Sequence, residues 1–226
     1  MPRLKQKWPI LYLNEENCHT VNLLNKNYII YGSSILFSRG LEYLVLFYAA
    51  YSLTKPDYGE LEFYKRVIEV GASLIAFGFP ALLMSYTRSK ASKINFLVLS
   101  LLVVFLISLV VALVLAPTPW IILVVPFIFY AVFFTGGISH SYFLVKEGSN
   151  YASIFKGATA LLFYLIVFIS IYYYDVSGYA FVYVNYLLFP ILAFFLYWKL
   201  AREHIEILQL KRYWSLFKKL LGSSFS

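Results

Sequence analysis

Five charged residues, Arg39, Glu42, Lys65, Arg66 and Glu69, lie inside stretches otherwise apolar enough to cross a bilayer. A charge near the bilayer centre costs from about 2.5 to well over 10 kcal/mol. Five in neighbouring segments must therefore face one another, or water, rather than lipid. Arg39 and Glu42 are three residues apart and share a helix face. On a helix starting near Gly59, Glu62, Lys65, Arg66 and Glu69 fall within an arc of about 100°, one polar stripe. Counted from the ends of their segments, Glu42 and Glu69 lie ~15 Å deep, with Arg39 about a turn deeper and Lys65 and Arg66 about a turn shallower.

Two chemistries fit this pattern. The alternating signs allow Arg39–Glu69 and Glu42–Arg66 bridges that simply clamp two helices. The same residues also suit a hydrophilic cavity that receives an anionic group or a coupling ion. The cavity is the functional expectation, with Arg39, Glu42, Lys65, Arg66 and Glu69 as its lining. His140, between Ser139 and Ser141, reads as an interfacial or packing histidine. Gly71, Gly78, Gly136 and Gly137 read as positions of close helix approach. Asp175 reads as a turn residue, and His19 and His204 as solvent-side. With one cysteine, Cys18, there is neither an intrachain disulfide nor a cysteine cluster for a metal, and no metal, cofactor or catalytic group is expected.

The elements that position these charges follow from composition. The 226 residues are 61% hydrophobic, 20% aromatic and only 13% charged, with a mean hydropathy of +0.73. Soluble domains run near 45–50% apolar and about 25% charged, so the chain reads as an integral membrane protein. The 21 Tyr and 21 Phe suit interfacial belts and lipid-facing surfaces. The net charge of +8 does not point to nucleic acid, because the basic residues are distributed by topology.

Residues 1–26 read as a basic cytoplasmic tail rather than a signal peptide. Residues 27–198 hold six spans of roughly 20 residues each: about Tyr28–Leu53, Gly59–Tyr86, Ile94–Leu115, Trp120–Val145, Ala152–Tyr174 and Tyr179–Trp198. Pro80 is expected to kink the second and Pro190 lies in the sixth. Residues 199–226 read as an amphipathic surface linker followed by the start of a further repeat. Of the 19 Lys and Arg, only Lys55 falls in an odd-numbered loop, whereas the tails and even-numbered loops hold 15. By the positive-inside rule both termini are expected to be cytoplasmic.

The run Gly32-Ser33-Ser34-Ile35-Leu36-Phe37-Ser38-Arg39-Gly40-Leu41, followed by Pro56-Asp57-Tyr58-Gly59 after the first span, resembles the N-terminal part of polysaccharide-biosynthesis flippases. These belong to the multidrug/oligosaccharidyl-lipid/polysaccharide exporter superfamily, with the O-antigen repeat-unit flippases among them. The resemblance implies an all-α integral membrane protein whose six helices form one bundle of a two-bundle, MATE-like transporter fold. It also implies a non-enzymatic role in the bacterial cytoplasmic membrane: flipping an oligosaccharide linked to undecaprenyl diphosphate between leaflets. Arg39 matches an arginine often found in the first span of such proteins, whereas Glu42 and Glu69 depart from a purely cationic cavity and suit coupling to H+ or Na+. Leu221-Gly222-Ser223-Ser224 echoes Tyr31-Gly32-Ser33-Ser34, so a second repeat is expected after the linker. The bundle then needs a second half, or a second copy of itself, as partner, besides membrane lipid. The alternatives are a cation-coupled small-molecule exporter of the same superfamily, a membrane enzyme acting on polyprenyl-phosphate sugars through Asp57, Glu60 and Glu62, or a structural subunit whose charges are helix glue.

Overall fold

In lipid every backbone N–H and C=O must find a partner within the protein, so long apolar runs fold as helices. The computed structural model describes residues 15–86, 89–134, 136–174, 178–202, 210–211, 213–215 and 218, and among these there is no strand. Tail residues 1–14, Asp175, His204 and the Gly222-Ser223-Ser224 echo lie outside the described residues, as does most of the expected amphipathic linker.

Among the described residues eight α-helices follow in order: α1 (Glu15–Ser52), α2 (Lys55–Ala76), α3 (Phe79–Tyr86), α4 (Lys90–Leu115), α5 (Val124–Phe133), α6 (Ile138–Glu147), α7 (Ser149–Tyr174) and α8 (Ala180–Arg202), with a 3-10 turn at Pro119–Leu123 leading into α5. Among the described residues five stretches are long and apolar enough to cross a membrane: Ile29–Ser52, Ser92–Leu115, Pro119–Glu147, Ser149–Tyr173 and Ala180–Arg202. The expected second span is not among them. Its 22-residue helix α2 is long enough, at ~33 Å, but carries Lys55, Asp57, Glu60, Glu62, Lys65, Arg66 and Glu69. The helix α1 also begins at Glu15, well before the expected span.

Two of the six expected segments are discontinuous. In the second, α2 stops at Phe77, whose φ of 44° is left-handed, and Gly78 follows at φ 76°. Pro80 then sits in the first turn of α3. Its ring would clash with the carbonyl four residues back and it donates no N–H, so the chain breaks ahead of it instead of kinking through it. In the fourth, α5 ends at Phe133 and α6 starts at Ile138, with Gly136 at φ 75° between them. Pro190, by contrast, lies within an unbroken α8.

The broken segments pack side by side, α2 against α5 and α3 against α6, while α4, α7 and α8 surround them. A Cβ at Gly71 would overlap the Phe127 ring, so glycine sets the close approach of α2 and α5. α1 docks chiefly on α7, where the Ser34 hydroxyl donates to the Ser153 carbonyl at 2.8 Å, and touches α2 only slightly. Near the α1–α2 loop a ring of aromatics links the helices. Tyr48 packs on Phe168 at 4.7 Å and Tyr64 on Tyr179 at 4.9 Å, with Trp120 6.3 Å from Tyr64. Rings of this amphipathic kind mark a membrane–water boundary.

Candidate functional site

The charged residues meet as one network, though not with the expected partners. Thr54 starts α2 by accepting the Asp57 amide, and Pro56 sits in the first turn, where a missing donor costs nothing. From that start the stripe on α2 points Lys65 inward, to 2% exposure. Its ammonium donates to Glu42 Oε1 at 2.5 Å, while Arg39 donates to Glu42 Oε2 at 2.8 Å. Lys65 also lies 3.6 Å from Glu69, and Arg66 pairs with Glu69 at 3.1 Å and with Glu62 at 3.6 Å. The expected Arg39–Glu69 and Glu42–Arg66 bridges are replaced by Arg39–Glu42, Lys65–Glu42 and Arg66–Glu69. The reason is local: pairs three or four apart on one helix meet without any movement of the helix, and only Lys65 has the reach to cross.

Glu42 thus holds two cations and is 6% exposed, whereas the Arg39 side chain is 54% exposed. Counted with Glu62, the network holds three cations and three carboxylates, and Arg39 stays half-exposed while paired with Glu42. Glu42 lies six residues below Tyr48, or ~9 Å.

A cavity of about 240 Å³ opens beside this network. Arg39, Glu42 and Glu69 line one part of it; Ala72, Ser73 and Ala76 of α2 line another, and Tyr130 with the break at Gly136 and Gly137 closes the far wall. Lys65 and Arg66, expected in the lining, are not part of this wall. Lys65 acts through Glu42 from behind, and Arg66, 61% exposed, turns to the opposite face of α2. There it joins an apolar groove of about 560 Å³ between α2, α4 and α5, walled by Phe63, Val67, Val70, Leu74, Trp120 and Phe127. One helix therefore separates a charged cavity from an apolar groove.

No protein-family model, curated protein or solved structure matches the chain.

Three groups at the site were not picked out from the sequence. Tyr164 on α7 is buried with its hydroxyl facing Glu42. Tyr130 on α5 is 7% exposed and its hydroxyl has no hydrogen-bond partner among the described residues. Lys156 sits half-buried two turns into α7, within electrostatic range of both Arg39 and His140. A tyrosine among 21 carries no signal by itself. Lys156, seven residues inside an apolar helix that begins at Ser149, did carry one. His140 is buried against the Tyr31 ring at 6.4 Å, in keeping with a packing role.

The acidic residues near the α1–α2 loop do not converge. Asp57 bonds Thr54 at the start of α2, Glu60 lies against Gly178, and Glu62 faces Arg66.

Proposed function

We propose that this chain is a membrane transport unit. It would move an oligosaccharide linked to undecaprenyl diphosphate across a bacterial cytoplasmic membrane for polysaccharide or O-antigen synthesis. The single observation that carries the reading is the charged cavity lodged where two neighbouring membrane segments are both discontinuous. Non-helical backbone at membrane depth is tolerated where it lines a cavity, and broken helices are how transporters build substrate sites. The half-exposed guanidinium of Arg39 suits a phosphate, and the apolar groove on the far face of α2 suits a prenyl tail.

In this reading α2 and α3 together form a sixth span. The bundle then has its two described ends, Glu15 and Arg202, on the cytoplasmic side, in line with the positive-inside bias. A second bundle, from a partner or another copy, covers the exposed apolar face of α1, which carries Leu36, Phe37, Leu44 and Phe47.

A cation-coupled exporter is the second reading, favoured by Glu42 and Glu69 both lining the cavity. Liposomes reconstituted with the protein and a lipid-linked oligosaccharide discriminate the two. A flippase raises the fraction of sugar that an external lectin captures above protein-free liposomes, and Arg39→Gln abolishes the gain. Capture at the protein-free level under every H+ and Na+ gradient removes the flippase reading.

A further inference from the structure

A second cluster of cations sits at the far end of α8 from the Tyr64–Tyr179 ring pair. The helix runs from Ala180 to Arg202, ~34 Å, enough to span the ~30 Å of hydrocarbon. Lys199 and Arg202, in its last turn, therefore stand at the opposite membrane boundary. Tyr151 stands there too, two residues past the start of α7 at Ser149. With Phe195 and Trp198 these residues line a cleft of about 380 Å³ between α7 and α8.

The two cations are held differently. The Lys199 ammonium lies 3.8 Å from the centre of the Tyr151 ring, 4.8 Å from that of Phe143, and 3.3 Å from Glu147. Rings and carboxylate together fix its position. Glu147 also pairs with Lys146 at 3.7 Å, so one carboxylate is shared between two ammonium groups. The exposed Arg202 guanidinium lies 4.8 Å over the Trp198 ring and pairs with no carboxylate among the described residues. A guanidinium carries its five N–H donors at its edge, and that edge grips a phosphate through two parallel bonds. Below the cations the cleft turns apolar. Phe195 stacks on Phe155 of α7 at 6.4 Å. Trp198, Phe195 and Ile191, all exposed, follow Arg202 down one face of α8 at spacings of three and four residues.

We propose that this cleft binds an anionic phospholipid of the surrounding bilayer, of the phosphatidylglycerol class. Arg202 takes the phosphate with Lys199 beside it, Trp198 supports the glycerol backbone, and an acyl chain runs along Phe195 and Ile191. A zwitterionic headgroup would bring its own ammonium against two cations, and a free phosphate would leave the aromatic strip unused. Basic pockets between membrane helices on the cytoplasmic side bind anionic headgroups, and the positive-inside bias assigns this end of α8 to that side. The cleft shares no lining residue with the charged cavity beside Glu42. It requires that the chain lie in a bilayer and stands whether or not the chain moves a substrate.

The test uses the full chain in detergent, titrated separately with short-chain phosphatidylglycerol, short-chain phosphatidylcholine and inorganic phosphate at constant ionic strength. Thermal stability is the readout, since a ligand of the folded state raises the melting temperature by mass action. The expected result is saturable stabilisation by phosphatidylglycerol, with at least tenfold weaker affinity for phosphatidylcholine and for phosphate. Arg202→Gln lowers the phosphatidylglycerol affinity about tenfold, the loss of a hydrogen-bonded charge. Arg202→Lys, which keeps the charge but not the fork, lowers it by less. Lys218→Gln removes an equal charge from another exposed cation–aromatic pair, 5.3 Å over Trp214, and leaves the affinity unchanged. No saturable response to phosphatidylglycerol overturns the proposal, as do equal affinities for the two lipids. Equal losses in Arg202→Gln and Lys218→Gln overturn it in favour of diffuse surface attraction. Saturation by inorganic phosphate at the affinity of the lipid also overturns it and makes the cleft a free-anion site. Flipping is not part of the readout, so failure here leaves the transport reading untouched.

Discussion

The Lys65 ammonium donates to Glu42 at 2.5 Å and ties α2 to α1, two helices that otherwise barely touch. A buried pair of this kind adds little net stability against an apolar replacement, yet breaking it leaves a stranded charge. Lys65→Met is expected to destabilise the protein by about 3 kcal/mol, and Lys65→Met with Glu42→Gln to recover most of that loss. A double-mutant cycle by thermal unfolding checks both. Equal destabilisation by the single and double variants would mean the pair does not act as a unit.

Arg39 is expected to separate stability from function. Its side chain is half-exposed, and Glu42 keeps Lys65 when it is gone. Arg39→Gln should therefore shift stability by no more than about 1 kcal/mol, while lipid-linked substrate binding falls by an order of magnitude. Unchanged binding with a large stability loss would return the network to helix glue.

Lys156 gives the opposite sign. A half-buried cation near Arg39, with no ion pair among the described residues, costs folding energy. Lys156→Met is expected to stabilise by roughly 0.5–2 kcal/mol at the expense of activity, the usual exchange at a functional site. Thermal unfolding paired with the flipping assay reads both effects.

Gly71 tests the packing of the discontinuous segments. A side chain there meets the Phe127 ring, so Gly71→Val should cost about 1–3 kcal/mol by overpacking. Combining it with Phe127→Ala should cost less than the two separate losses added together, because both act on the same contact.

Much of this was legible in the sequence. Apolar run length located five of the six expected segments as long apolar helical stretches, and helical spacing put Glu62, Lys65, Arg66 and Glu69 within ion-pair reach along α2. Which carboxylate met which cation was not legible, since that depends on how α1 and α2 are rotated against each other. The break before Pro80 carried a local signal, and so did Gly136-Gly137. Tyr130 and Tyr164 became notable only once α5 and α7 were packed around Glu42.

The central claim is that the space beside Glu42 and Glu69 is a water-accessible cavity. The most direct measurement replaces Cys18 with serine, introduces Ser73→Cys in the cavity wall, and applies a charged, membrane-impermeant thiol reagent to intact membranes from each side in turn. The account predicts labelling at position 73 from at least one side, slowed by pyrophosphate or polyprenyl diphosphate. No labelling from either side, with Thr54→Cys at the α1–α2 loop labelled as a control, would contradict it and leave the charges as a structural clamp.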